Sequence, residues 1–246
     1  MPLHIETDGR VLALAFADGG EEVVAACGDG AVRYFDPANG SLVRTRLWTA
    51  DESTAAFSYG ARTLASAGRQ TTIRVRDIAT SSLQRVLGRQ GQRITALAFS
   101  RDDTLLASGG TDGAAQVWDL AAGRLKTILP DGAGESSALA FSPAGEVLVT
   151  ANSDTSIRIF QTRNGKLQRK LDDLAMASLA AAFTPDAQRL VTAGPDGFVY
   201  LWDPARWTVV RKLEGPAELI RALAISPDGK LVASSDGGKT IQLWTL

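Results

Sequence analysis

The chain of 246 residues contains one cysteine, one histidine and two methionines. A single thiol, Cys27, cannot form an internal disulfide, and no Cys/His metal cluster can be assembled. His4 stands near the N-terminus, where a Ser-His-Asp relay would rest on a terminal strand with nothing to hold it. Cys27 has no activating base among its sequence neighbours, so it reads as a small buried residue. Charge of one sign is missing as well. The 26 basic and 27 acidic residues give a net charge of −1, without the basic footprint that phosphate backbones require. No run approaches the roughly 20 apolar residues of a membrane span. The first six residues lack the basic and apolar regions of a secretory signal. The expectation is a cytoplasmic protein with no cofactor and no metal, and with neither nucleic acid nor membrane as partner.

What the chain does have is a beat. An apolar strand ends at Phe35, Arg76, Trp118, Phe160, Trp202 and Trp244, at intervals of 41, 42, 42, 42 and 42. Phe16, Phe57, Phe99, Phe141, Phe183 and Ile225 keep the same intervals. Units of about 40–45 residues that each resolve into four strands are propeller blades. In the third unit, 94–99 is the innermost strand a, 104–108 is b, 114–118 is c and 124–129 is d, with Asp112-Gly113 marking the tight b–c turn. Proline and glycine fall in the turns and spare the strands. Strands a and b are nearly continuous apolar runs, as in a sheet buried on both faces. The Asp-Gly turns lack the Lys-Ser/Thr of a phosphate loop and the spaced carboxylates of a calcium loop, so they read as turns alone.

The fold predicted is all-β, a single propeller of six four-stranded blades over 1–246. The blades run at about 11–48, 52–90, 93–131, 135–173, 176–215 and 218–246, with a strand at 2–6 completing the last. The sixth unit ends two residues after Trp244 and has no strand d of its own. In the middle units a strand-d leucine (Leu87, Leu129, Leu171, Leu213) lies 12 residues before its marker, and Leu3 lies 13 before Phe16. Leu3 is therefore the expected counterpart. This overlap closes the ring and removes open sheet edges. A larger ring, or pairing with a second copy, are the other readings of these ends.

Trp118-Asp119 and Trp202-Asp203, with Phe35-Asp36, Arg76-Asp77, Phe160-Gln161 and Trp244-Thr245 as variants, make residues 11–246 resemble the Trp-Asp-repeat β-propellers. The resemblance implies a His, Ser/Thr, Asp, Trp network bracing each blade. Its Asp falls on Asp29, Asp112, Asp154 and Asp196, with Gln70 and Gly238 in the other two blades. Its hydroxyl falls on Ser66, Ser108, Thr150, Thr192 and Ser234, with Ala25 the exception. Its histidine is absent throughout: Thr7, Trp48, Gln90, Gly132, Leu174 and Pro216 stand there. Each missing hydrogen bond forgoes about 0.5–1.5 kcal/mol, so stability is expected to lean on packing.

The resemblance also implies a non-catalytic scaffold that binds a protein or peptide partner on the loop face around the central channel. Positions just before and within strand a, and before the b–c turn, place Arg10, Asp51, Arg69, Arg93, Glu135, Leu219 and Arg221 on that face. The arginines suit bidentate contact with acidic groups, with Asp51 and Glu135 opposing them. No reaction is expected, because no titratable pair with a supporting shell is visible. A sensor module of a larger protein and a channel-mouth hydrolase are the alternatives.

Overall fold

Each unit folds as an antiparallel meander because its four apolar stretches are separated by turns too short for any other connection. The computed structural model describes residues 3–48, 52–68, 71–88, 91–130, 134–172, 177–214, 219–236 and 239–246. The chain opens with β1 (Leu3–Glu6). Blade 1 is β2 (Val11–Ala17), β3 (Glu22–Cys27), β4 (Ala31–Phe35) and β5 (Leu42–Leu47). Blade 2 is β6 (Glu52–Phe57), β7 (Thr63–Gly68), β8 (Ile73–Asp77) and β9 (Leu83–Leu87). Blade 3 is β10 (Ile94–Phe99), β11 (Leu105–Gly110), β12 (Ala115–Asp119) and β13 (Arg124–Leu129). Blade 4 is β14 (Ser136–Phe141), β15 (Val147–Asn152), β16 (Ile157–Gln161) and β17 (Leu167–Leu171). Blade 5 is β18 (Ala180–Phe183), β19 (Leu190–Ala193), β20 (Phe198–Asp203) and β21 (Thr208–Glu214). Blade 6 is β22 (Ala222–Ile225), β23 (Leu231–Ser235) and β24 (Thr240–Thr245), and β1 is its outer strand. Among the described residues no helix is long and apolar enough to cross a membrane.

The core is a ring of seams between blades. Leu14 and Phe16 of blade 1 pack with Ala222, Ala224 and Ala233 of blade 6. Leu97 and Trp118 of blade 3 pack with Ala65, Ile73 and Val75 of blade 2. A blade alone would leave both faces bare, so the array is stable only as a ring.

Closure runs through the N-terminus, as the repeat arithmetic requires, but one register expectation is corrected. Leu87 faces Ile73, Leu129 faces Ala115 and Leu171 faces Ile157; their counterpart in blade 6 is Ile5, which faces Ile241. Leu3 faces Leu243 instead. At the middle-blade spacing the position falls on His4, but the link from Ile5 to Val11 is one residue shorter than that from Leu87 to Ile94. Ile5 is 3 % exposed and belongs to the blade 1–6 seam, with Leu3 packed beside it. The Thr7 N–H donates to the Lys239 carbonyl at 2.6 Å and pins the end of the closing strand.

The bracing network survives in part, and its missing histidine has a substitute. Trp118, Trp202 and Trp244 donate their indole N–H to Ser108, Thr192 and Ser234 at 2.8, 2.9 and 2.9 Å. At the b–c turns of blades 1, 4 and 5, the Asp binds the residue four positions on. The Arg33 guanidinium donates to Asp29 at 2.6 Å, Arg158 to Asp154 at 2.7 Å, and the Tyr200 hydroxyl to Asp196 at 2.5 Å. Gly9 belongs to this arrangement, since a Cβ there would lie 2.8 Å from the Asp29 carboxyl carbon. At the histidine positions, Trp48 donates to the Cys27 carbonyl at 3.3 Å and Thr7 is buried. Gln90, Gly132, Leu174 and Pro216 lie outside the described residues, as do Gln70 and Gly238.

Trp207 breaks a local rule. In the c–d turns, Gly40, Gly123 and Gly165 have positive φ, and Ser81 and Trp207 take the same place with φ 57° and 59°. A non-glycine residue there costs about 1–2 kcal/mol. Trp207 is half-buried against the core cluster of the blade 4–5 seam, and that packing offsets the strain.

Candidate interaction surface

The six strands a begin at one mouth of the central channel and end at the other. At the first mouth four of them carry a register irregularity at the same place. The skipped residues are Leu12, Ser53, Thr95 and Ser137. A bulge re-aims the side chain of its extra residue, and these four line the channel together with Leu179 and Arg221 of blades 5 and 6. The cavity holds about 250 Å³ and is rimmed by Arg10, Arg93 and Glu135. The hydroxyl protons are committed to backbone. Thr95 Oγ1 donates to the Ser136 carbonyl at 2.7 Å, and Ser53 Oγ lies 3.4 Å from the Ala67 carbonyl. Charge selectivity at this mouth is therefore left to the arginines and Glu135.

Arg10, Arg93 and Arg221 converge from blades 1, 3 and 6, and all three are exposed. Among the described residues, none of them has an ion pair or a side-chain hydrogen bond. Burial, followed by repulsion from Arg221 and then Arg93, lowers the Arg10 guanidinium below its ordinary value. Like charges held this close favour an anion between them. Glu135 stands exposed on blade 4 as the opposing acid. Leu219 is half-buried and lies outside the channel lining. Asp51 and Arg69 lie outside the described residues.

The second mouth differs in character. Its cavity, also about 250 Å³, is lined by Phe16, Phe57, Phe99, Phe141, Phe183 and Ile225, with Pro143, Pro185 and Pro227 at the rim. Arg101 of blade 3 donates to the Pro185 carbonyl of blade 5 at 2.6 Å, and its guanidinium lies 5.0 Å from the Tyr59 ring centre of blade 2. That arginine is engaged within the chain, unlike the three at the first mouth.

The described lining of the two mouths holds few groups for acid–base chemistry. Glu135 is the one carboxylate there. Among the described residues, no group of three or more His, Cys, Asp or Glu side chains is placed to hold a metal ion. His4 sits exposed on β1, with Nδ1 3.3 Å from Gln242 Nε2. Cys27 is fully buried, and burial raises its thiol pKa, which opposes the thiolate a nucleophile needs.

A family model described as WD domain, G-beta repeat matches residues 81–119, 126–161, 174–203 and 207–245, together more than half of the chain. None of the curated proteins matches it. The first match runs from the outer strand of blade 2 through strand c of blade 3, and the last from β21 to β24. The repeat in sequence is thus offset from the blade in space by one strand, the offset that makes β1 the closing strand of blade 6. By these matches and by its six four-stranded blades, the chain belongs to the WD-repeat family of β-propellers.

Proposed function

We propose that the protein is a non-catalytic interaction scaffold that holds an acidic segment of a protein or peptide partner at the first channel mouth. The observation that carries this reading is the convergence of Arg10, Arg93 and Arg221 with no acidic partner among the described residues. Three exposed guanidiniums present planar donor forks that match carboxylates bidentately. Leu12 and Leu179 in the same lining offer apolar contact for side chains flanking the acidic groups. A lone carboxylate among the described lining residues supplies no acid–base pair, which supports a binding role over hydrolysis.

The test is affinity capture from the source lysate with the intact chain and with a variant carrying Arg10→Glu, Arg93→Glu and Arg221→Glu, read by mass spectrometry. All three side chains are exposed, so the variant is expected to keep the parent's unfolding transition. Proteins retained by the parent and lost with the variant are the expected result. Equal capture by both overturns the assignment of the mouth.

A further inference from the structure

Blade 5 handles its b–c turn carboxylate differently from blades 1 and 4. In those blades a guanidinium four residues on neutralises the Asp, at 2.6 Å for Arg33–Asp29 and 2.7 Å for Arg158–Asp154. In blade 5 the same position is Tyr200, a neutral donor. Asp196 accepts from the Tyr200 hydroxyl at 2.5 Å and from the Phe198 backbone N–H at 3.2 Å. Among the described residues, no lysine or arginine pairs with it. Its negative charge therefore remains beside two aromatic rings, Phe198 and Tyr200, whose centres are 6.5 Å apart with planes inclined at 56°. The cation that occupies this place is Lys212, which stands directly opposite Tyr200 on β21. Its Nζ lies 3.3 Å from the Phe198 ring centre and 5.3 Å from that of Tyr200. An ammonium is attracted to both ring faces and, at longer range, to the Asp196 carboxylate.

We propose that Phe198, Tyr200 and Asp196 form a recognition site for an alkylammonium side chain of a basic partner segment, filled in cis by Lys212 in the unbound protein. The aromatic pair is specific to blade 5. The positions matching Phe198 are Ala31, Thr72, Ala114, Ser156 and Thr240, and those matching Tyr200 are Arg33, Arg74, Gln116, Arg158 and Gln242. Both rings are half-buried, so part of each stays at the surface. The site also adjoins an open strand edge. All residues of β21 except Leu213 are exposed, and β21 is the outermost strand of its sheet. An extended segment laid along that edge can place a lysine over the rings while its backbone pairs with β21. Lys212 acts as a tethered competitor, present at an effective concentration on the order of millimolar, so the site opens only to a partner with contacts beyond the ammonium. This surface lies outside the channel lining and involves none of the mouth arginines.

The experiment uses the full chain with Lys212→Ala, an exposed change that leaves both rings in place. Aromatic-ring NMR shifts are followed against three probes: tetramethylammonium chloride, its uncharged, soluble near-isostere neopentyl alcohol, and a blocked pentapeptide Thr-Val-Lys-Val-Thr. The Lys212→Ala protein is expected to bind tetramethylammonium about tenfold more tightly than the parent does, with little response to neopentyl alcohol. Adding Phe198→Ala is expected to abolish that binding while leaving the unfolding transition cooperative. The peptide is expected to bind more tightly than tetramethylammonium. Absence of a saturable shift in the Lys212→Ala protein, or equal response to the neutral isostere, overturns the site. A peptide no better than tetramethylammonium overturns the partner segment as its occupant. Because Arg10, Arg93 and Arg221 are unaltered here, failure of this site and failure of the channel mouth are read separately.

Discussion

Blades 1 and 5 reach the same four-stranded form with opposite chemistry at two matching places. Between strands b and c, blade 5 joins Trp202 to Thr192 by a hydrogen bond of 2.9 Å, where blade 1 sets Phe35 against Ala25, both fully or nearly fully buried and apolar. At the b–c turn, blade 1 uses an ion pair, Arg33–Asp29, where blade 5 uses the Tyr200 phenol. The indole and its hydroxyl are thus present together or absent together in these two blades. Blade 4 obeys the same logic by another route. It has Phe160 in place of tryptophan but keeps Thr150, whose hydroxyl accepts from Asn152 Nδ2 at 3.1 Å. The difference between the blades teaches that the fold does not demand the tryptophan. At this position it asks only that a buried strand-b hydroxyl find a partner, Trp202 for Thr192 and Asn152 for Thr150.

The largest expected effect breaks the comparison at the turns. Asp29→Ala strips the Arg33 guanidinium, whose side chain is 9 % exposed, of its close partner and leaves the exposed Asp8 at 3.5 Å. The expected loss is about 2–3 kcal/mol, below that of a fully buried pair because Asp29 is partly solvated. Asp196→Ala in blade 5 frees only a neutral hydroxyl, at about 1 kcal/mol. Urea unfolding of the two variants measures the gap, and equal losses would show that ion pair and phenol serve the turns alike.

A smaller effect sharpens the comparison between strands b and c. Trp202→Phe leaves the Thr192 hydroxyl, 1 % exposed, without its donor and is expected to cost about 1–3 kcal/mol. Adding Thr192→Ala rebuilds in blade 5 the apolar pair of blade 1, and the double variant is expected to be more stable than the sum of the single losses predicts. Ala25→Ser runs the experiment backwards, burying a hydroxyl in the core cluster that holds Phe35 at a cost of about 1 kcal/mol. Strict additivity in the double-mutant cycle would remove hydrogen-bond pairing as the reason that indole and hydroxyl travel together.

Much of this was legible in the sequence because a constant period aligns every position with its five counterparts. Blade number, the buried aromatic positions, the turns and N-terminal closure all follow from that alignment. So does the gathering of Arg10, Arg93, Glu135 and Arg221 at one mouth, since residues at the start of strand a share one end of the channel. The bulges that aim Leu12, Ser53, Thr95 and Ser137 inward were not legible, because a one-residue irregularity leaves the period unchanged. Ile5 was missed for the reverse reason, a link one residue shorter than its counterparts. The residues that replace the histidine left a signal that could have been found, an Asp with Arg or Tyr four positions on at 29–33, 154–158 and 196–200. Lys212 left none. Its place over the rings depends on the register of β20 with β21, which only the fold supplies.

The smallest expected effect is the pH dependence that separates the two turns. In blade 1 the hydrogen bond from Arg33 lowers the Asp29 carboxyl below the ordinary carboxylate range. In blade 4, burial works against this, but hydrogen bonds from Ser156 and Arg158 prevail and Asp154 is lowered too. Folded carboxyls that hold protons more weakly than unfolded ones contribute stability that is present above about pH 4 and lost as the pH falls through their native values. In blade 5 burial, then Asp196, pushes the Tyr200 hydroxyl up to about 12. A raised group has the opposite sign. Its contribution is complete below about pH 10, where the unfolded phenol begins to ionise, and is lost as the pH climbs towards 12. Urea midpoints across both limbs are therefore expected to show an acid slope that flattens in Asp29→Asn and a basic slope that flattens in Asp196→Asn. Loss of the basic slope in Asp29→Asn instead would place the late-titrating group in blade 1, where burial, and more weakly Asp29, raises the Cys27 thiol. It would then be blade 1, and not blade 5, that sets the alkaline limit of the ring.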